Sequence, residues 1–124
     1  MSETARRGRS LLPAAVALVV QFVLLYAPSS GGAPPFPHFD KLVHAAIFAL
    51  PVFFAAAARL PFVPVVALAA AHAPLSEVIQ GTLLPQRSGD PRDVIADLVG
   101  VALGVIAAQR VLRVRESNSA VDTT

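Results

Sequence analysis

Four long apolar runs, residues 11–27, 42–58, 62–84 and 94–108, occupy most of this 124-residue chain. Runs of this length read as membrane-spanning helices, and a polar side chain inside one is costly unless it is partnered or functional. Each run carries such a side chain. If the helices alternate in direction, Gln21, His44, Glu77 and Asp97 fall at one level near the same surface. The expected fold is all-α: an integral membrane four-helix bundle with a polar layer open on one side.

Composition supports that class. Hydrophobic residues make up 55% of the chain and charged residues 15%, and the mean hydropathy is +0.64. At this length a single domain is expected. It divides into a basic N-terminus (1–10), a four-helix membrane domain (11–109) and a polar tail (110–124), of which 116–124 is expected to be disordered. All ten basic residues but Lys41 are Arg. They flank the apolar runs, so they explain membrane orientation better than nucleic-acid binding, and no nucleic-acid partner is expected. The absence of cysteine excludes disulfides and thiolate chemistry. Arg6, Arg7 and Arg9 precede an apolar run as in a signal peptide. That run is too long for a usual signal core, however, and Pro28 makes a poor cleavage site, so the first helix is expected to be retained.

The loops are short or rich in helix breakers. Residues 28–37 hold Pro, Ser and Gly and cannot be helical. Arg59-Leu60-Pro61 is so brief that the second and third helices must be antiparallel neighbours. Pro51 and Pro74 lie within helices, where a bundle tolerates the kinks they cause. Asp90 reads as an N-cap, Pro91 as the first helical residue and Asp93 as a first-turn acid. Arg6, Arg7, Arg9, Arg59, Arg110, Arg113 and Arg115 fall on one side of the resulting topology, and Lys41, Arg87 and Arg92 on the other. The positive-inside rule then puts both termini in the cytoplasm, N-in and C-in, and the polar layer toward the outer surface.

Three groups of residues could carry chemistry. Asp40 and His44 are i and i+4 on one face, so the carboxylate can orient the imidazole; alternatively Asp40 caps the helix, Lys41 anchors at the interface and His44 is merely hydrogen-bonded. Glu77 and Gln80 share a face at i and i+3. A carboxyl group in apolar surroundings suits general acid or base work, although Glu77 could equally pair with Lys41 or Arg87. Asp90, Asp93 and Asp97 lie on one stripe, which Gly100 and Gly104 continue as a close-packing pattern that could also serve a homo-oligomer. The acidic stripe with His44 and Glu77 holds donors that suit several metals, but recognised zinc spacings such as HExxH are missing. No metal or cofactor is therefore assigned. Arg87 could bind a phosphate in bidentate fashion. His72, two residues before Pro74, is off the Glu77 face and reads as structural, satisfying a carbonyl that the proline frees.

The order of these pieces resembles the VanZ-like family of membrane proteins. The matching residues are Asp40-Lys41-x-x-His44-x-x-x-Phe48, Glu77-x-x-Gln80, Arg87, and Asp93-x-x-x-Asp97-x-x-Gly100-x-x-x-Gly104, within residues 21–108. One position departs from the family pattern, which has Asn where this chain has Asp97. The resemblance implies a multi-pass protein of the bacterial inner (plasma) membrane, in contact with membrane lipids, with a link to resistance to the glycopeptide teicoplanin. It implies no particular reaction.

Two functions fit the residues. In one, the chain binds or modifies a lipid-linked or peptidoglycan-related envelope substrate at the outer leaflet. Glu77 and Asp93 are then the acid/base candidates and His44 their partner, while Lys41, Arg87, Gln80, Asp40 and Asp97 are candidates for holding the substrate. In the other, the chain is non-catalytic, binds lipid or a partner and alters antibiotic access, and its polar layer fixes the register of the bundle. Transport is less expected, because the polar layer reaches only one face.

Overall fold

The computed structural model describes residues 3–28, 31–85 and 87–123, with side chains from residue 11 onward. Four helices account for nearly all of them: α1 (Glu3–Tyr26), α2 (Phe39–Ala57), α3 (Phe62–Thr82) and α4 (Pro91–Asp122). No strand occurs among the described residues. Successive helices alternate in direction, and α2 lies at the centre, packed most extensively against α4, which runs parallel to it, and also against α1 and α3.

Each helix has a local cause. Asp90 accepts a hydrogen bond from the Arg92 amide and Pro91 follows it, so α4 starts on a side-chain cap with an acid, Asp93, in its first turn. The turn between α2 and α3 closes when the amides of Arg59 and Leu60 donate to the carbonyls of Ala56 and Ala55. This is the Schellman pattern, and it holds Arg59 at a φ of 65°, a left-handed value more usual for glycine. Pro13, Pro51 and Pro74 sit inside continuous helices. In α2 the buried residues His44, Phe48, Val52 and Ala56 lie four apart on one stripe, with Ile47 beside it. In α4 the facing stripe is Asp93, Asp97, Gly100, Gly104 and Ala108.

That second stripe is nearly devoid of side chains below Asp97, and this sets the helix separation. A Cβ on Gly100 would run into the Ala45 carbonyl oxygen, and one on Gly104 would come within 2.6 Å of the Ala49 carbonyl oxygen. The close-packing pattern is thus occupied within the chain, by α2. The apolar core is small: Leu25, Ile47, Phe48, Val52, Ala73 and Val101.

Apolar and polar residues are distributed as lipid demands rather than as water does. Leu68 and Val63 are 74% and 80% exposed, and most described apolar side chains of α1, α3 and α4 face outward, whereas seven polar or charged side chains among the described residues are buried. Three helices, α2, α3 and α4, are long and apolar enough to cross a membrane. The apolar part of α1, Leu11–Tyr26, is shorter than the others.

Two boundaries differ from the expectation. α1 begins at Glu3, inside the basic N-terminus, although the side chains of Arg6, Arg7 and Arg9 lie outside the described residues. The segment expected to be disordered is helical instead, because α4 runs on to Asp122. No glycine or proline interrupts it after Gly104, and Ser119 and Thr123 donate their hydroxyls back to carbonyls three or four residues earlier. At about 1.5 Å per residue α4 is about 48 Å long, well beyond a bilayer core of about 30 Å. Ser29, Ser30 and Gln86, in the loops expected at 28–37 and 85–89, lie outside the described residues, as does Thr124.

Candidate functional site

The first turns of α2 and α4 and the last turns of α3 meet at one end of the bundle. Lys41 is the hinge of this meeting. Its Nζ donates to Asp40 at 2.7 Å, to Asp90 at 2.9 Å and to Asp93 at 2.6 Å, so all three ammonium protons are used. Two of those bonds cross from α2 to the start of α4. Asp90, just outside the membrane-spanning part of α4, has its carboxyl held below the usual carboxylate range, chiefly by the Lys41 hydrogen bond and then by the Arg92 amide.

One turn deeper, His44 stands between two carboxylates of α4. Its Nδ1 is 2.7 Å from Asp97 Oδ1 and its Nε2 is 3.5 Å from Asp93 Oδ2. The expected orienting role of Asp40 is therefore taken by Asp97 and Asp93, because Asp40 turns outward to Lys41 and is 60% exposed. Asp97 is wholly buried.

Glu77 enters the same space from α3. Its Oε2 accepts a 2.7 Å hydrogen bond from the amide of Asp90. The close approach has a backbone cause. Gly81 of α3 and Gly89 of the following loop touch, and a Cβ on Gly89 would lie 3.2 Å from the Glu77 carbonyl oxygen. Among the described residues Glu77 makes no hydrogen bond or ion pair with Lys41 or Arg87, whose bonds go elsewhere. Among the described residues, Glu77 Oε1 and Asp97 Oδ2 are buried without a hydrogen-bond partner. His44, Glu77 and Asp97 each offer one donor atom to a common space in which those atoms lie within 4.8 Å of one another. A histidine flanked by carboxylates in such a place can move a proton or share a cation.

The remaining sequence candidates serve α1. Gln80 donates to the Leu25 carbonyl at 2.8 Å. Arg87 donates through Nε and Nη2 to the Ala27 carbonyl at 3.1 and 2.7 Å, and through Nη2 to that of Leu24. These carbonyls belong to the last turn of α1, where a helix has no acceptors' partners of its own and where a cation also meets the negative end of the helix dipole. Gln80 and Arg87 thus clamp α1 to α3, and the structure brings together Lys41, Asp40, Asp90, Asp93, His44, Asp97 and Glu77 without them. Gln21, expected in the polar layer, is buried but lines an apolar cavity of about 520 Å³ between α1, α2 and α3, together with Phe22, Phe48 and His72. His72 bonds to the Tyr26 hydroxyl at 2.7 Å and stacks on Phe22, so its partner is a phenol rather than a freed carbonyl.

Gly81 and Gly89 were the residues that sequence reading passed over. Their signal in the sequence is weak, since a glycine near a helix end reads first as a possible C-cap and one in a loop as a turn residue. No family model matches the chain, and comparison with curated proteins and with solved structures finds no match.

Proposed function

We propose that the chain is a VanZ-like, multi-pass protein of the bacterial plasma membrane, with both termini cytoplasmic, that acts on an envelope substrate at the outer leaflet. The observation that carries this reading is the placement of His44, Asp93, Asp97 and Glu77 in one buried cluster at one end of a bundle whose flanks are largely apolar. Intramembrane ionisable groups of this kind are rare and costly, and function is the usual reason that they are kept. The orientation follows from the seven arginines on the opposite side, and the short apolar part of α1 is taken as a fourth crossing.

The substrate is lipid-linked or peptidoglycan-related. Support comes from the cavity beneath the cluster. Phe48, one turn below His44, lies on its wall, and the volume is that of a small-molecule pocket. An apolar tail fits there while a polar group meets the cluster. Glu77 and Asp93 are the acid/base candidates, and His44, which stands between Asp93 and Asp97, is their partner. A negatively charged headgroup reaches Lys41 by displacing Asp40 or Asp90, its two more exposed partners. Arg87 and Gln80 contribute by holding α1 rather than by touching substrate.

The test is protection against teicoplanin in a host deleted for the chain, with wild type, Glu77→Gln and Asp93→Asn at matched membrane levels. Protection by wild type and by neither variant supports a working site. Equal protection by all three overturns it. A second reading is favoured by Lys41 itself, whose three ion pairs tie α2 to α4. A non-catalytic protein that binds lipid or a partner would use the cluster as a clasp, and its phenotype would survive Glu77→Gln.

A further inference from the structure

We infer that His44, Glu77 and Asp97 bind one divalent cation of the Zn²⁺ or Mn²⁺ type. The inference deepens the reading above, on which it rests for the use made of the cation but not for its binding. The three residues come from three helices, all are buried, and their donor atoms lie within 4.8 Å of one another. Ligand atoms around one small cation stand this close, with metal–ligand distances near 2.0–2.2 Å reached by modest side-chain movement.

Two independent features point to a ligand among them. The first is the pair of buried oxygens, Glu77 Oε1 and Asp97 Oδ2, that lack any donor. A buried carboxylate oxygen without a partner is costly, and a cation satisfies both at once. The second is charge. Lys41 is fully engaged by Asp40, Asp90 and Asp93, and it donates to neither Glu77 nor Asp97. Glu77 is left with a single backbone amide and Asp97 with His44. One divalent cation neutralises both carboxylates and leaves His44 neutral, as a ligand must be.

His44 has the orientation of a metal-bound imidazole. Its Nδ1 lies 2.7 Å from Asp97 Oδ1, and its Nε2 lies 3.5 Å from Asp93 Oδ2, whose other oxygen Lys41 holds. An outer carboxylate on the second ring nitrogen is the usual support of a ligating histidine. One imidazole with two carboxylates suits Zn²⁺ or Mn²⁺ better than Ca²⁺ or Mg²⁺, which favour oxygen alone. Three protein ligands leave a position for water or substrate, where the cation acts as a Lewis acid. Motif reading misses such a site because its donors lie on separate helices.

The test uses the full chain in detergent, stripped with chelator and titrated with Mn²⁺ and with Zn²⁺. One equivalent of either is expected to stay bound through gel filtration, and bound Mn²⁺ is expected to show ¹⁴N coupling from a single imidazole. That coupling disappears in His44→Gln, and stoichiometric binding disappears in Glu77→Gln with Asp97→Asn. Asp93→Asn weakens binding by roughly 10–100-fold without abolishing it. The inference is overturned if wild type retains no metal, if its Mn²⁺ spectrum carries no ¹⁴N coupling, or if the double variant binds as wild type does. The wild-type spectrum decides the matter even where a variant fails to fold. Metal-free wild type with loss of protection in Glu77→Gln would remove the cation and keep the proposed function. Bound metal with full protection by Glu77→Gln would do the reverse.

Discussion

Asp97 Oδ1 lies 2.7 Å from Nδ1 of His44, and the residue that lets the helices approach so closely is Gly100, three positions further along α4. The acidic stripe and the glycine stripe are therefore one device. The glycines draw α2 and α4 together, and the shortened distance brings a carboxylate on one helix within hydrogen-bonding reach of an imidazole on the other. Without the glycines, Asp97 would be a buried charge with no partner, a far more expensive arrangement.

Replacing Gly100 with Ala is expected to cost at least about 1–3 kcal/mol, since the new methyl meets the rigid Ala45 carbonyl rather than a movable side chain. Gly32→Ala is the control. Nothing lies within 4 Å of the added Cβ there, and a change within about 0.5 kcal/mol is expected. Thermal unfolding in detergent reads both. Equal stability of the two variants would contradict the close packing.

Arg87→Ala and Gln80→Leu are each expected to loosen α1 without disturbing His44. Gln80→Leu leaves the buried Leu25 carbonyl without its side-chain donor, at a cost of about 1–3 kcal/mol, whereas the Leu24 and Ala27 carbonyls freed by Arg87→Ala are partly open and cost less. A single cysteine introduced at Leu18 would report this, since the natural chain contains none. Its labelling rate should rise in both variants. An unchanged rate would show that α1 is held by other contacts.

The Lys41–Asp90 pair gives stability a definite pH dependence. Asp90 is held below the usual carboxylate range in the folded chain, mainly by Lys41. Its contribution is therefore present above the unfolded carboxylate value of about 3.9 and is lost as pH falls through the lower folded value. Asp90→Asn is expected to unfold at a lower temperature than wild type at pH 7, with the gap closing below about pH 4. Lys41 also serves Asp40 and Asp93, so part of the effect is shared with them. A gap that stays constant down to pH 3 would contradict the assignment.

Hydrophobic run length and helix punctuation carried most of the fold. The limits of α2, α3 and α4's start lay within a few residues of expectation because caps and prolines act locally. Partner choice was harder to read. The i, i+4 spacing of Asp40 and His44 offers a bond within one helix, yet His44 bonds across to α4, and that outcome depends on how far apart two helices pack. Counting turns put Gln21 at the depth of the cluster but could not show that its face of α1 turns toward Phe48 and His72. Arg87 and Gln80 looked like substrate ligands because a sequence does not reveal which helix end lies nearby in need of donors. The end of α4 is harder to read, because its polar residues 116–122 suggest disorder while no glycine or proline stops the helix there.

The central claim is that the buried carboxylates are kept for function rather than for folding, and the stability of metal-free Glu77→Gln tests it most directly. The amide can still accept from the Asp90 backbone, and it removes a charge whose second oxygen has no partner. With chelator present at neutral pH, the variant is expected to unfold at the same temperature as wild type or a higher one, as when strain at a working site is relieved. A loss of about 3 kcal/mol or more, at or beyond what a hydrogen bond to a charged group is worth, would instead make Glu77 a structural residue and contradict the claim.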